Sequence, residues 1–507
     1  MGQLSIEEFH SPFGGKLDPN NRWVLLHKVI PWMPLESDYA PQFTAKTGAP
    51  AKPFQMAFGA VYIQQRLGVT DRETVALITE SPYLQFFIGL GGYQPLPPFD
   101  PSMMVHFRKR IGPDLMKVCN DMTKANGIAM IQELLAESQQ EDGTDQEQQK
   151  QLAAIEEELG VKPASLEADS NWGTLILDAT CVPDDIPYPV DLRLLDESRE
   201  TTEKVIDELF KQLQGKIGRK PRCNRDKAHN LFLTIIKKKK PKREEIREAK
   251  RFQLNEISRN LRAVDDMIHC GAVLSALGSQ LYHKLLIASE IYRQQQDMYD
   301  NDSRRIDDRI VNLSKPHVRP IVRGKAGKKT EFGAKISISD DNGFVDVDRI
   351  SWDNYNEAND LIARAMQYKG ERGYYPARIC ADSIYMTSDN KKFCADNNIR
   401  LSGRPRKKQA GAEMQTPEQQ ELFKSDLRKR SVIEGRIGTG KRKYGLDRIL
   451  TKLVATSRTV IMMAFFVMNA EKILRLLRLL FVLVVSIYFA MLWLWASWRR
   501  SGRLWAT

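Results

Sequence analysis

The stretch whose reading decides the fold is "LILDATCVP", Leu175 to Pro183. Three apolar residues lead into Asp178, and the run breaks at a proline. This is the pattern of a short buried strand with a carboxylate at its end. An ionised carboxylate in an apolar setting is costly unless a cation meets it. A strand-end Asp that merely caps the next turn is the plain alternative. A second stretch bears on the choice. "ARICADSIY", Ala377 to Tyr385, is again a short apolar run leading into an acid, Asp382.

Between and beyond these runs the pattern is that of a sheet. Lys335–Ser339 and Phe344–Asp348 alternate around Asp341-Asn342-Gly343, a hairpin signal. An amphipathic helix follows and is expected to end on Gly370. A helix near Asp389–Asn397 and a short strand, "IRLSG", come after Asp382. A helix is expected to start near Leu192, and from Glu256 to Asp297 the apolar spacing is helical, as in a long antiparallel pair. Residues 175–403 therefore spell strand, helical insert, hairpin, helix, strand, helix, strand. The expected class is α/β, a mixed sheet interrupted by a helical insertion.

Carboxylates at the ends of adjacent strands converge on one edge of a sheet. Hard oxygen donors suit Mg²⁺ or Mn²⁺. Two such ions stabilise both the attacking and the leaving oxygen of an in-line phosphodiester displacement. The best third acid is Glu434 in "RKRSVIEGRIGTGKRK". On a helix, Arg430 and Glu434 stand at i and i+4, and Lys441 returns near the same face. Gly435, Gly438 and Gly440 argue against helix beyond Glu434, so a loop is the other expectation for Lys441. Gly435–Lys441 also fits the spacing of a phosphate-binding loop, but Arg442 stands where that loop needs Ser or Thr. The seven histidines are scattered without a metal-ligand spacing, and no nucleophile elbow is present. His317 is expected to be structural or to face phosphate.

The chain of 507 residues carries 76 Lys and Arg against 64 Asp and Glu, which points to a polyanionic partner. The excess is concentrated. Lys211–Phe252 holds sixteen Lys or Arg and four Asp or Glu, a net charge equal to the whole-chain excess of +12. Contact with a phosphate backbone is favoured over a merely solvated face. The candidate contacts are Arg222, Arg225, Lys237, Lys238, Lys239 and Lys240 there, with Arg319, Arg323 and Lys325, Arg404 and Arg406, and Arg430 and Lys441. The six cysteines lie far apart, with no CxxC pair, which excludes a disulfide scaffold and fits a reducing cytosol.

The first 130 residues show three capped helices: Thr70 with Glu73, Ser81 with Pro82, and Asp100 with Pro101 closing on Gly112. A helix-turn-helix-like DNA-binding module ending in Arg108, Lys109 and Arg110, or a generic helical bundle, would satisfy them. Glu137–Lys150 is polar and acidic, an exposed linker or helix extension. Leu479 to Trp498 is twenty residues without a charge, between Arg478 and Arg499. It qualifies as a membrane helix by hydropathy. A C-terminal helix buried against a core or a partner is the plain alternative, and packing in an oligomer or a variable tail is the favoured expectation. The N-terminus shows no secretory pattern, and a cytoplasmic, nucleoid-associated location is expected.

Taken together, "ESPYLQFFIGL", "PFDPSMMVHFRKRIG", "LILDATCVPDDIPYPVDLRLLDESRE", "KPHVRPIVRGKAGKKTEFGAKISIS", "ICADSIY", "IRLSGRP" and "RSVIEGRIGTGKRKYGLDRI" give the chain its likeness to a family. It resembles the DDE transposases of bacterial insertion sequences, in the group with a Y-x2-R-x3-E-x6-K signature, closest to the insertion-sequence-five type. The likeness runs from about Ala51 to Lys472. It implies the triad Asp178, Asp382 and Glu434, holding two Mg²⁺ or Mn²⁺ ions, with Arg430 and Lys441 as the R and K of the signature. The tyrosine position holds Leu427. The resemblance further implies a ribonuclease-H-like mixed-sheet core with a helical insertion, and an N-terminal all-α, helix-turn-helix-like domain.

The expected domains are 1–135 helical and DNA-binding, 136–170 linker, 171–193 with 315–460 catalytic, 194–314 the basic insertion, and 461–507 an apolar tail. The implied activity is cleavage at element ends and transfer of the 3′-hydroxyl into target DNA. The implied partners are terminal inverted repeats, target DNA and further copies of the chain. Two rivals stand beside it. One is a ribonuclease-H-like nuclease without strand transfer, and the other is a basic DNA-binding protein held to a membrane by residues 479–498.

Overall fold

The structure, a computed structural model, describes residues 5–43, 50–139, 146–163, 165–167, 170–322, 330–403 and 417–501, with side chains of the last helix up to Leu483. Arg323, Lys325, Arg404 and Arg406 lie outside the described residues. In chain order the helices are α1 Arg22–Val29, α2 Trp32–Tyr39, α3 Phe54–Leu67, α4 Asp71–Glu80, α5 Pro82–Phe87, α6 Met103–Gln139 and α7 Gln146–Leu159. Strand β1, Thr174–Pro183, comes next, followed by α8 Asp191–Gln212, α9 Arg225–Ile236, α10 Arg243–His269, α11 Ser279–Asp300 and β2 Pro320–Val322. The chain then forms β3 Thr330–Asp341, β4 Phe344–Ser351, α12 Asp360–Arg372, β5 Arg378–Cys380, α13 Ser388–Asp396, β6 Arg400–Ser402, α14 Pro417–Lys443 and α15 Val454–Ser501. The fold is mixed α/β. It divides into two compact units, one of residues 1–182, 336–350 and 355–507, the other of 183–335 and 351–354.

In the first unit the sheet runs β3-β1-β5-β6, with β4 on β3. The β1–β5 and β5–β6 pairs are parallel. Asn342 and Gly343 both take positive φ, 50° and 86°, as a two-residue hairpin turn between right-twisted strands requires. Helix α12 passes Gly370 and stops on Gly373 at φ 85°. Gly373 is the left-handed residue whose N–H reaches the Lys369 carbonyl. The sheet's own core is Leu175, Leu177, Leu361, Tyr368, Ile379 and Tyr385.

The helices before the sheet share a core built on Phe54, Phe58, Tyr62, Phe87 and Phe107. The Thr70–Glu73 capping box and the Ser81 cap form as the sequence predicts. The third helix breaks at Gly112 (φ 60°, ψ 169°) and resumes at once from Pro113 to Gln139. Arg108 is turned inward, bound to both carboxylate oxygens of Asp71 at 2.8 and 2.9 Å, so it is a core ion pair and not part of a basic edge. Helix α7 covers part of the expected acidic linker, and Leu152, Ile155 and Leu159 are buried.

Helix α15 packs against two apolar cores up to Leu483, and the side chains of the rest of 479–498 lie outside the described residues. Met463, Phe466, Val467 and Leu474 belong to the N-terminal helical core, and Ile473, Leu476 and Leu480 pack with α6 and α7. Asn469 binds the N–H and the carbonyl of Val345 in β4 at 2.8 and 2.9 Å. Apolar faces at the two ends of a sequence pair this way because burial rewards area removed from water, whatever the chain separation. Among the described residues no helix is long and apolar enough to cross a membrane.

In the second unit β2 pairs antiparallel with the first residues of β3. Helices α8, α10 and α11 pack through Val205, Leu209, Val264, Met267 and Leu285.

Candidate active site

Asp178 does not end its strand. β1 continues to Pro183, while its pairing with β5 runs only over Thr174↔Arg378 to Ile176↔Cys380. Asp178 is thus the first outward position past that ladder. Continuing the same register by two residues sets it opposite Asp382. Asp382 leaves the sheet as the N-cap of a short turn, its carboxylate accepting from the Ser383 N–H. Asp178 accepts from the Ala179 N–H at 2.8 Å.

Helix α14 brings the third acid. It runs unbroken through Gly435, Gly438 and Gly440 to Lys443, so helix persists where the glycines argued against it. Gly440 has a packing reason, since a β-carbon there would stand 2.7 Å from Leu446. The spacing of a phosphate-binding loop at 435–441 is buried in helix geometry and cannot wrap a phosphate. Arg430 pairs with Glu434 at 3.0 Å, and Glu434 remains 56% exposed. The Lys441 ammonium donates to the Cys181 carbonyl of β1 at 2.9 Å.

Burial pushes the Asp178 carboxyl above its usual range. The Ala179 N–H and Arg430 work against this, and the charges of Asp382 and Glu434 add to it. The carboxylate oxygens are hard donors suited to Mg²⁺ or Mn²⁺. The three carboxylates are near enough to feel one another without being drawn into one cluster. Among the described residues the group of three ligand types within 4.8 Å is Asp196, Glu200 and His229, in the second unit. Asp196 there is already bound by Arg199 at 2.7 Å. Sequence reasoning did not single out that group, because its His lies on a different helix from its acids.

The expected DNA contacts divide. Lys237, Lys239 and Lys240 are exposed after α9, and Arg222 is exposed before it. Arg225 is paired with Asp207 at 2.5 Å and Lys238 with Glu245 at 2.7 Å. Arg319 donates to the Pro316 and Val318 carbonyls of its own loop. His317 is structural, its ring edge-on to Trp352 at 5.1 Å. Burial lowers its pKa. The net charge of the basic segment overstated its reach, because Asp191, Asp207 and Asp302, outside that segment, neutralise part of it. Asp426 was also missed. It is a buried acid on α14 held by Arg378 and Arg400, and no periodicity announces it.

Comparison with known proteins adds the class. Residues 12–110 match the family model described as "Transposase domain (DUF772)", and residues 379–471 match "Transposase DDE domain". These matches support a DDE-type transposase of an insertion sequence. The second covers Asp382 and Glu434, while Asp178 lies outside it. The "Uncharacterized protein ORF8 in nfe locus" of Rhizobium meliloti is 33% identical over 116 residues, 23% of this chain and 54% of that protein. The chain thus spans about half the length of that curated relative. No solved structure matches.

Proposed function

We propose that this chain is a metal-dependent DNA transposase that cleaves at insertion-sequence ends and joins the freed 3′-hydroxyl to target DNA, on a ribonuclease-H-like core. The observation that carries the reading is the placement of Asp178 and Asp382 at one register position past the parallel β1–β5 ladder. The helix bearing Arg430, Glu434 and Lys441 lies against the same strand through Cys181. Asp178, Asp382 and Glu434 would hold two Mg²⁺ or Mn²⁺ ions, which supply Lewis acidity and a nucleophile active at neutral pH. The N–H groups of Ala179 and Ser383 donate to the Asp178 and Asp382 carboxylates and hold those side chains in place. Glu434, exposed and bound to Arg430, is free to swing from the guanidinium toward the other two acids. Arg430 then has donors for a phosphate oxygen. Lys237, Lys239 and Lys240 supply backbone attraction that weakens steeply with salt.

The experiment is Asp382→Asn in the full chain, with Mg²⁺ and DNA carrying candidate element ends. End binding should persist and cleavage should vanish. Wild-type nicking by that variant rejects the assignment. Cleavage by the wild type without joining to a second DNA would leave a nuclease as the reading.

A further inference from the structure

Helix α14 is anchored on both sides of Glu434. On its C-terminal side Lys441 donates to the carbonyl of Cys181, three residues beyond Asp178 on β1. On its N-terminal side the Asp426 carboxylate is 3% exposed and accepts from Arg400 at 2.9 and 3.0 Å and from Arg378 at 3.4 Å. Arg378 also donates to Thr174. Thr174, Arg378 and Arg400 are register partners across β1, β5 and β6, one row of the sheet. Asp426 therefore grips β6 and β5, the strand that leads to Asp382, and through Arg378 and Thr174 reaches β1, the strand that carries Asp178, at the end of the ladder away from both acids. Eight residues separate Asp426 from Glu434, about 12 Å of helix, and seven more reach Lys441, about 10 Å.

Nothing in burial alone requires a charge there. Ile433, on the same side of the helix, is fully buried. Apolar contacts are non-directional and let a helix slide or turn on a sheet. A buried carboxylate gripped by two guanidiniums has one good position, and fixing register is the best-attested use of such groups. We infer that Asp426, held by Arg378 and Arg400, is the positioning residue that sets where Glu434 stands relative to Asp178 and Asp382. The inference rests on the carboxylate site proposed above.

The test is Mn²⁺ binding to the full-length protein without DNA, followed by electron paramagnetic resonance, with folding checked by circular dichroism. Asp426→Asn should weaken binding about 10- to 100-fold, the usual scale when a group supporting a metal ligand is lost. Asp426→Glu should recover most of it, since the carboxylate still reaches the guanidiniums. Adding Asp426→Asn to Glu434→Gln should cost nothing further, because coupled residues are not additive. Wild-type Mn²⁺ affinity in folded Asp426→Asn, with Glu434→Gln weakened, overturns the inference alone. So does a double variant that loses the product of the two effects. No loss in Glu434→Gln overturns the carboxylate site as well. If Asp426→Asn does not fold, Arg400→Gln, which leaves Arg378 in place, is titrated instead. Unchanged affinity in that variant, or unfolding of both, sinks the proposal.

Discussion

Two groups of acids in this chain use the same residue types to opposite ends. In the helical insertion Asp196 and Glu203 close on Arg199, whose side chain is 1% exposed, at 2.7 and 2.6 Å, and Gln253 adds a bond to its Nε. At the edge of the sheet Arg430 pairs with Glu434 at 3.0 Å and acts on Asp178, whose carboxyl also feels the charges of Asp382 and Glu434. The first group is satisfied from within, and its low-dielectric setting makes it rigid. In the second, the charges of Asp382 and Glu434 add to the upward push on the Asp178 carboxyl, which a proton or an added cation would relieve.

The largest expected effect lies at the sheet. Asp178→Asn should lower cleavage by roughly 10³-fold, the scale for losing one transition-state-stabilising group. The same change should raise the melting temperature of the metal-free protein by about 2–4 °C as like-charge repulsion is relieved. His229→Ala in the insertion should leave the cleavage rate unchanged. A drop there to the level of Asp178→Asn would break the comparison, since it would move the metal to the other cluster. Next in size, Arg199→Leu should destabilise the insertion by about 3–5 kcal/mol, because two buried carboxylates lose their partner. Arg430→Leu, at an exposed pair, should cost about 1 kcal/mol or less. Denaturant melts of the two variants would sharpen or erase that contrast.

Two carboxyls, one in each unit, should answer pH in opposite senses. Burial raises the Asp348 carboxyl in the first unit to about 7, with Arg364 opposing and Asp346 adding. Its folded value lies above its unfolded one. The stability this group contributes is therefore full below about pH 4 and lost as pH rises through about 7, on the order of 4 kcal/mol. Asp348→Asn should flatten that slope. In the insertion burial would raise Asp191, but Lys250 and Arg309 outweigh it and hold its pKa low. Asp191 thus contributes stability that is present above its unfolded pKa and lost as pH falls through the lowered value. Unfolding free energies measured from pH 3 to 8 in wild type, Asp348→Asn and Asp191→Asn would check both signs. The smallest effect is expected at the surface. Lys239→Ala should weaken DNA binding a few-fold and reduce the salt slope by about one phosphate contact.

Much of this was legible from residues alone. The strand at Leu175, the hairpin turn at Asn342-Gly343 and the caps at Thr70 and Ser81 depend on local chemistry, and local chemistry is printed in the sequence. Asp178 and Asp382 could be matched because each follows an apolar run of one strand. Arg108, Arg225 and Lys238 could not be told from DNA-facing cations, since their partner carboxylates come from other turns or other elements. Residues alone leave the helical state of Gly435–Gly440 open for a similar reason. Helix propensity counts against glycine, and the packing of Gly440 on Leu446 and of Lys441 on β1 overrides it.

By itself the sequence determined which segments could be strand or helix, where the acids lie along the chain, and where its positive charge gathers. These follow from side-chain periodicity and net charge, which need no knowledge of distant neighbours. Only the tertiary structure decided which charges are left over. It turned Arg108 inward and put Asp426 under two arginines. It also drew residues 463–480 into the N-terminal core. An ion pair is made or missed over a few ångströms, and no spacing along a chain sets the distance between residues that meet only when it folds.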